Sequence, residues 1–216
     1  LQGGFAPGGS ANSDPATHPT ILSGDIGARS DNTDNSFHVI TANRVYSTAV
    51  LDGLTVTAGN TAGDSFPDDN GAGIDAFGSS LSLNACTISG NAAGQGGGIY
   101  NGGHSTAILS NCAVTGNTGY NGAGMKNSFS STALLTNCTI NENIGVGLEN
   151  EFSSMATLNN CTVHANMGSG IVNNGTATLA NCTLSGNTAV AGGGMLDYAS
   201  TAVLTNCTFS GNIASQ

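Results

Sequence analysis

The sequence predicts an all-β protein in which short parallel strands stack coil upon coil as a solenoid. Two motifs that repeat every 21 to 26 residues support this prediction. The first motif places a cysteine between a leucine and an asparagine, and its six copies are LNACTISGN (83–91), LSNCAVTGN (109–117), LTNCTINEN (135–143), LNNCTVHAN (158–166), LANCTLSGN (179–187) and LTNCTFSGN (204–212). We expect each period to form one coil, because neighbouring coils can cover the apolar face that a single coil leaves open.

The second motif is a glycine-rich corner that ends in an apolar residue and falls between the cysteine motifs. Its six copies are GAGI (71–74), GGGI (96–99), GAGM (122–125), GVGL (145–148), GSGI (168–171) and GGGM (192–195). Helices are not expected, because the periods lack ten-residue stretches with apolar residues at helical spacing and glycine recurs throughout. We expect one strand after each glycine corner and a second strand from the leucine of each cysteine motif.

Alternation along the second strand predicts which side chains face the core. In Cys138-Thr139-Ile140, the first and third residues share one face and the threonine takes the other. The apolar column that this defines is Val56, Ile88, Val114, Ile140, Val163, Leu184 and Phe209. The six cysteines therefore point inward, where we expect reduced thiols that act as small core residues. Leu54 takes the cysteine position in an earlier coil.

Asparagine recurs at the end of each cysteine motif, and we expect these residues to form a structural ladder. Its members are Asn91, Asn117, Asn143, Asn166, Asn187 and Asn212. Their amides can bond the next coil's asparagine and backbone. The Asn-Cys-Thr triplets that begin at Asn137, Asn160, Asn181 and Asn206, and the sequence from Asn174, match the glycosylation acceptor. We interpret those matches as a by-product of the repeat.

These repeats resemble a known family. The GGGI and FSGN segments are similar to the repeats of polymorphic outer-membrane proteins and related bacterial surface proteins. The resemblance covers residues 51–216, and the opening segment resembles the start of such domains. It implies a right-handed parallel β-helix of about seven to nine coils on a secreted or cell-surface protein. The aromatic residue of the family's Phe-x-x-Asn motif remains here at Phe209; Ile, Val or Leu takes its place elsewhere.

Composition limits the partners. The chain of 216 residues carries 13 acidic and 3 basic residues, for a net charge of −10. This balance disfavours nucleic acid and anionic membrane surfaces as partners, since both bind basic surfaces. No apolar run approaches the ~18 residues of a membrane span, so we expect no membrane insertion. We predict one elongated domain, with an irregular capping segment that includes the first strands at 1–50, β-helix repeats at 51–216 and a loop insertion at 61–70.

Acidic loops are the candidate metal sites. Asp25, Asp31 and Asp34 fall in one short loop, and calcium is bound by six to eight oxygen ligands from such clusters. We give these three residues as a predicted calcium site, with a solvated turn as the alternative. Asp64, Asp68 and Asp69 form a second acidic set. Calcium is the one cofactor for which the sequence offers ligands.

Catalysis has no clear set of residues in the sequence, so the chain is not expected to be an enzyme. Lys126 and Glu149 occupy equivalent positions on successive coils, which predicts an ion pair between neighbouring strands of small stabilising effect. Many polysaccharide lyases and hydrolases use this fold, so a carbohydrate-active enzyme or a carbohydrate-binding module is the alternative by analogy. That alternative places a site in the acidic N-terminal third, and the absence of tryptophan argues against it.

An outward threonine row gives a third alternative. The row reads Thr55, Thr87, Thr139, Thr162, Thr183 and Thr208, with Ala113 interrupting it. Paired threonines on a flat sheet resemble the ice-binding face of some antifreeze solenoids. The preference of threonine for exposed strands explains most of the row without ice binding.

The sequence therefore predicts a secreted or cell-surface structural protein. We expect end-to-end self-association into extracellular fibres or an adhesin-like stalk, with a surface glycan as a further partner. The last motif ends at Asn212, four residues before Gln216, and no capping element follows it. An uncapped coil exposes apolar columns and unpaired strand edges. The chain begins at Leu1, so we expect any signal or anchor to lie outside it.

Overall fold

The computed structural model describes residues 1–8, 12–28, 31–46, 49–61, 69–198 and 200–216. These residues form strands and turns, and they contain no helix long and apolar enough to cross a membrane. The described strands are, in chain order, β1 (Thr20–Ser23), β2 (Ile40–Asn43), β3 (Ala49–Asp52), β4 (Leu54–Thr57), β5 (Ile74–Phe77), β6 (Ser80–Asn84), β7 (Thr87–Ser89), β8 (Ile99–Gly102), β9 (Thr106–Ser110), β10 (Ala113–Thr115), β11 (Met125–Asn127), β12 (Thr132–Thr136), β13 (Thr139–Asn141), β14 (Leu148–Asn150), β15 (Met155–Asn159), β16 (Thr162–His164), β17 (Ile171–Asn173), β18 (Thr176–Ala180), β19 (Thr183–Ser185), β20 (Thr188–Ala189), β21 (Met195–Asp197), β22 (Thr201–Thr205), β23 (Thr208–Ser210) and β24 (Ile213–Ala214).

Three parallel sheets run along the solenoid. Sheet 1 has the order β2-β5-β8-β11-β14-β17-β21, sheet 2 has the order β3-β6-β9-β12-β15-β18-β22, and sheet 3 has the order β1-β4-β7-β10-β13-β16-β19-β23. Each coil contributes one strand to each sheet, and β20 and β24 form a short separate pair. Seven complete triplets of strands follow one another in the described chain. The predicted all-β parallel solenoid is confirmed.

Each coil has three strands, whereas the sequence predicted two. The predicted second strand is divided at the cysteine motif, so that β12 ends at Thr136 and β13 begins at Thr139. Asn137 lies between them in the left-handed region, with φ 55°. Asparagine tolerates this conformation better than most residues, so it turns the chain from sheet 2 to sheet 3.

The inward columns agree with the predicted faces. Val114, Ile140 and Val163 pair in register on adjacent strands of sheet 3, and all three are fully buried. All six cysteines are free, and five of them are buried. Hydrogen bonding to the thiols of Cys138 and Cys86, together with burial, raises the pKa of Cys112. The cysteine column is therefore part of the core, as predicted.

The predicted asparagine ladder is confirmed at the corner that leads from sheet 3 to sheet 1. The Asn143 amide donates to Asn166 Oδ1 at 2.9 Å and to the Val114 carbonyl at 3.1 Å. Its own Oδ1 accepts the backbone N–H of Asn117 at 3.0 Å. Because these groups are buried, the ladder satisfies backbone groups that water cannot reach.

Two further ladders lie at the other corners. A buried one links Asn101, Asn127, Asn150 and Asn173 at the end of sheet 1 and continues to Asp197. An exposed one follows the corner between sheets 2 and 3, where the links include Asn84 to Asp52, Asn111 to Asn84, Asn137 to Asn111, Asn160 to Asn137 and Asn206 to Asn181. Turn geometry and this exposed ladder account for the asparagine of every Asn-Cys-Thr triplet.

The N-terminal segment covers the first coil. The Leu1 ammonium donates to the Val50 carbonyl at 2.7 Å, and the Gly3 N–H donates to the Asp52 carbonyl at 2.8 Å. Strand β1 pairs with β4 and extends sheet 3. Strands β1 and β2 lie within the segment 1–50, where the first strands are predicted, and residue 50 lies inside β3. Most of the predicted insertion at 61–70 lies outside the described residues.

The buried ladder gives a stability prediction. Replacing Asn143 by alanine leaves the buried Asn117 N–H without its acceptor, so we expect Asn143→Ala to lower the free energy of unfolding by about 3 kcal/mol. Asn137→Gly is the matched control, since it removes a member of the exposed ladder and keeps the left-handed turn. We expect the control to cost less than about 1 kcal/mol. Urea denaturation measures both, and equal losses would contradict the account.

Candidate functional site

The acidic loop predicted to bind calcium lies beside the first coil. Asp34 Oδ2 accepts the Ala28 N–H at 2.7 Å, and Asp31 Oδ1 accepts both the N–H and the hydroxyl of Thr33 at 3.0 and 2.6 Å. The hydroxyl and N–H of Thr33 lower the pKa of Asp31. Asp31 and Asp34 thus hold the turn of their own loop.

No group of three His, Cys, Asp or Glu residues that could hold a metal ion occurs within the described ranges. Calcium binding at Asp25, Asp31 and Asp34 would require the last two to exchange their present hydrogen bonds for the cation. The calcium site stays a prediction. In the second acidic set, Asp64 and Asp68 lie outside the described residues.

The largest concentration of interacting ionisable groups follows the outer face of sheet 1. Asp75, Tyr100, Lys126 and Glu149 occupy one column, because they pair in register on β5, β8, β11 and β14. The column continues with Val172 and Leu196 and so becomes apolar toward the end of the chain. We call these six residues the outer column of sheet 1.

Lys126 is buried although it belongs to the outer column. Its side chain is 3% exposed, and its Nζ lies 2.7 Å from Glu151 Oε1 and 3.9 Å from Glu149 Oε1. The register with Glu149 is as predicted, but the shorter contact is with Glu151. The predicted small stabilising effect applies to an exposed pair, whereas Lys126 is buried, and removing one partner of a buried pair is costly.

Burial raises the pKa of three neighbours of Lys126. Desolvation raises the pKa of Asp75, with His38 acting in the opposite direction, and it raises the pKa of Tyr100. Desolvation also raises the pKa of Glu149, which Lys126 partly offsets. The Tyr100 hydroxyl lies 3.2 Å from Ser128 Oγ within the buried layer. Lys126 and Tyr100 are therefore both buried and engaged with protein partners.

Exposed aromatic side chains line the corner between sheets 1 and 2. We call Tyr46, Phe77, Phe129, Phe152 and Tyr198 the aromatic row; their exposed fractions lie between 42% and 84%. The Phe129 carbonyl accepts the N–H of His104 on the preceding coil at 2.9 Å. The coils of His104 and Gly175 have no Phe or Tyr at this corner, so the row is interrupted twice.

A hollow of about 360 Å³ opens where the aromatic row begins. Its lining includes Arg44, Tyr46, Phe77, Ser80, Gly103 and His104. Gly103 has φ +64°, and a Cβ at this position would stand 2.6 Å from the Phe77 ring. Glycine therefore lets the Phe77 ring lie against the next coil and form one wall of the hollow.

The threonine row lies on the outer face of sheet 3 in the predicted register. Thr55 pairs with Thr87, Thr139 with Thr162 and Thr162 with Thr183, while Ala113 interrupts the row between Thr87 and Thr139. The adjacent outward column includes Asn141 and His164, which are paired with each other. Ice binding on this face stays a prediction.

Comparison with known proteins identifies the class. A family model described as a right-handed beta helix region matches residues 26–189. The chain therefore belongs to the right-handed β-helix family, in agreement with its three parallel sheets. Comparisons with curated proteins and with solved structures find no match.

Lys126 gives a pH-dependent stability prediction. Lys126→Met leaves Glu149 and Glu151 without their cation, so we expect a loss of about 3 kcal/mol at neutral pH. The loss should shrink as the pH falls, because Glu149, whose pKa is already raised, then becomes protonated and needs no partner. Chemical denaturation at several pH values measures the effect.

The matched control adds Glu149→Gln and Glu151→Gln to Lys126→Met. This triple variant has no uncompensated carboxylate and should recover most of the neutral-pH stability. A loss in Lys126→Met that is the same at every pH would contradict the electrostatic explanation and indicate lost packing instead.

Calcium binding at Asp25, Asp31 and Asp34 has a direct thermal test. A cation bound to the folded state stabilises it, so the prediction requires calcium chloride to raise the melting temperature and EDTA to lower it. Asp31→Asn is the variant that should lose the response. Identical melting curves with calcium and with EDTA would contradict the predicted calcium binding.

Proposed function

We propose that this β-helix is a secreted or cell-surface structural element, an adhesin-like stalk that associates end to end. Membership of the right-handed β-helix family supports the structural part of the proposal. The resemblance of the GGGI and FSGN segments to polymorphic outer-membrane-protein repeats supports the surface location. The scarcity of basic residues and the abundance of Gly, Ser, Thr and Asn are typical of such repeats.

The observation that carries the association is the contrast between the two ends. At the last coil, Leu204 and Phe209 are 43% and 45% exposed, whereas Leu179 and Leu184 of the preceding coil are fully buried in the same columns. At the first coil, Leu54 is buried beneath the N-terminal segment. The last coil therefore presents apolar columns and free strand edges, whereas the N-terminal segment covers Leu54 at the first coil and leaves the edges of β1 and β2 unpaired among the described strands.

A surface that covers the last coil must offer parallel strand edges in register with β21, β22 and β23. A further coil does this, and so does the outer side of the N-terminal segment of a second copy, which already extends sheets 2 and 3 by one strand. We propose the second arrangement for the 216-residue chain. Because the contact joins different surfaces, it propagates without closing and builds a fibre.

The proposal includes a non-catalytic role. The ionisable residues of the outer column are engaged with each other, with Lys126 held by two carboxylates and Tyr100 buried. Acid–base catalysis needs a group within reach of the proton that it transfers. A carbohydrate-active enzyme remains the rival class, and activity on polysaccharides with Glu149 required would favour it.

Sedimentation velocity tests the association. The 216-residue chain should form larger species as its concentration rises, and Phe209→Asp should shift the distribution toward the monomer, because a charge then occupies the apolar edge. Tyr120→Asp is the matched control, since Tyr120 is 90% exposed but lies on the side of the stack. The control should associate like the unmodified chain.

A monomer at every concentration, with the unmodified sequence, would contradict end-to-end association. Equal dissociation of the Phe209 and Tyr120 variants would also contradict it, because that result would locate the contact on the side of the solenoid. Circular dichroism of each variant confirms that the fold is retained.

A further inference from the structure

We propose that the open end of the cysteine column binds one soft monovalent metal ion, such as Cu(I) or Ag(I), in linear coordination between Cys182 and Cys207. The column consists of the six inward cysteines, which are Cys86, Cys112, Cys138, Cys161, Cys182 and Cys207. The inference does not depend on the proposed stalk function, because a single chain contains both sulfurs. It rests on the spacing of the sulfurs, on the exposure of the last one and on the donors around the pair.

Every sulfur of the column takes the same position in its coil. Cys182 Sγ lies 3.5 Å from the Leu158 carbonyl oxygen of the preceding coil, and Cys207 Sγ lies 3.5 Å from the equivalent Leu179 oxygen. The other four sulfurs lie 3.5 Å from the corresponding leucine carbonyls of their own preceding coils. Neighbouring sulfurs are therefore separated by the rise of one coil, which is ~4.8 Å for paired parallel strands.

This spacing suits a bridging metal ion better than a disulfide. A disulfide requires its sulfurs to lie ~2.05 Å apart, and all six thiols are free. An ion on the line between two sulfurs requires twice a metal–thiolate bond of ~2.3 Å, or about 4.6 Å. The required and available distances agree to about 0.2 Å, so neighbouring coils can hold the ion without a change of register.

The column can be reached from the last coil. Cys182 is buried, whereas Cys207 is only partly buried. Strands β22 and β23, which flank Cys207, are the last strands of sheets 2 and 3 among the described residues. Leu204 and Phe209 beside it are exposed, while Leu54 closes the opposite end of the column. An ion that enters at Cys207 therefore meets Cys182 and Cys207 as its first pair of sulfurs.

The donors at this end favour a soft ion of low coordination number. Thiolate sulfur selects ions such as Cu(I), and two sulfurs complete a linear geometry. The inward side chains before and after the two cysteines are Leu179, Leu184, Leu204 and Phe209, which offer no further donor. Structural zinc takes four donors and calcium takes six to eight oxygens. The described ranges hold no group of three His, Cys, Asp or Glu residues for such ions.

Binding exchanges thiol protons for the ion. One monovalent ion and two thiols give an S–metal–S unit with one negative charge and release two protons, and the metal keeps its oxidation state. Hydrogen bonding with the Cys161 thiol lowers the pKa of Cys182 to about 6, with burial acting in the opposite direction. Cys182 therefore gives up its proton near neutral pH, and the Cys161 thiol stabilises the charge on its sulfur.

Titration with Ag(I) tests the inference, because this ion needs no reductant to stay monovalent. The reduced chain is titrated in chloride-free buffer at the lowest concentration used for sedimentation, and native mass spectrometry counts the bound ions. We expect one ion per chain, an unchanged circular dichroism spectrum and a higher melting temperature. A thiol reagent should label Cys207 in the folded chain, and the bound ion should block that labelling.

Two variants separate the bridged pair from a single exposed thiol. Cys182→Ala and Cys207→Ser should both release the ion to a concentration of reduced glutathione that leaves the unmodified chain loaded. Cys86→Ala is the matched control for Cys182→Ala, because it removes an equally buried thiol from the closed end of the column and should keep the ion. Melting curves of both alanine variants show whether they fold equally well.

The inference would be overturned by a folded chain that binds no Ag(I), by a Cys182→Ala variant that holds the ion as tightly as the unmodified chain, or by equal loss in Cys86→Ala. One ion shared by two chains would also overturn it, because the ligands would then be the exposed thiols of two copies. If a variant does not fold, protection of Cys207 by Ag(I) in the unmodified chain still decides. The Phe209 sedimentation test uses no metal, so the two proposals can fail separately.

Discussion

The stacking of each coil directly over the next is the constraint on which the rest of the structure depends. The buried ladder from Asn91 to Asn212 enforces it, because each side-chain amide bonds the neighbouring asparagine and each Oδ1 accepts the backbone N–H of the coil before it. A slip of one residue would leave these buried groups unpaired and turn the inward columns outward. Apolar burial stabilises the stack, and the ladder fixes its register.

The register of the coils in turn determines which surface side chains lie one above another. The outer column of sheet 1 exists because Asp75, Tyr100, Lys126 and Glu149 are held one above the other. A solenoid of this kind converts a periodic sequence into long linear surfaces, which suits the proposed stalk.

Much of the fold could be predicted from the sequence, because period and alternation determine it. The inward positions of Cys138 and Ile140 and the ladder of Asn143 follow directly from them. The third strand of each coil was missed, although a signal was present. Leu135 and Cys138 are both buried and three residues apart, which a continuous strand does not allow. That change of phase marks the turn at Asn137.

The site was harder to predict, because it depends on turns. The rings of the aromatic row follow sheet 1 at different offsets, such as two residues after Asn127 for Phe129 and one residue after Asp197 for Tyr198. No fixed period therefore reveals them. The burial of Lys126 and its contact with Glu151 depend on how residues 151–154 fold back, which the pairing with Glu149 does not disclose.

Native-state hydrogen exchange of individual amides tests the role of the ladder most directly. The backbone N–H groups of Asn117, Asn143 and Asn166 donate to asparagine side chains of the next coil. The account predicts that they exchange as slowly as the N–H groups of Ile140 and Val163 in sheet 3, through global unfolding. Exchange at the faster rate of an exposed turn amide such as that of Ser153 would show that the ladder opens locally and does not hold the coils in register.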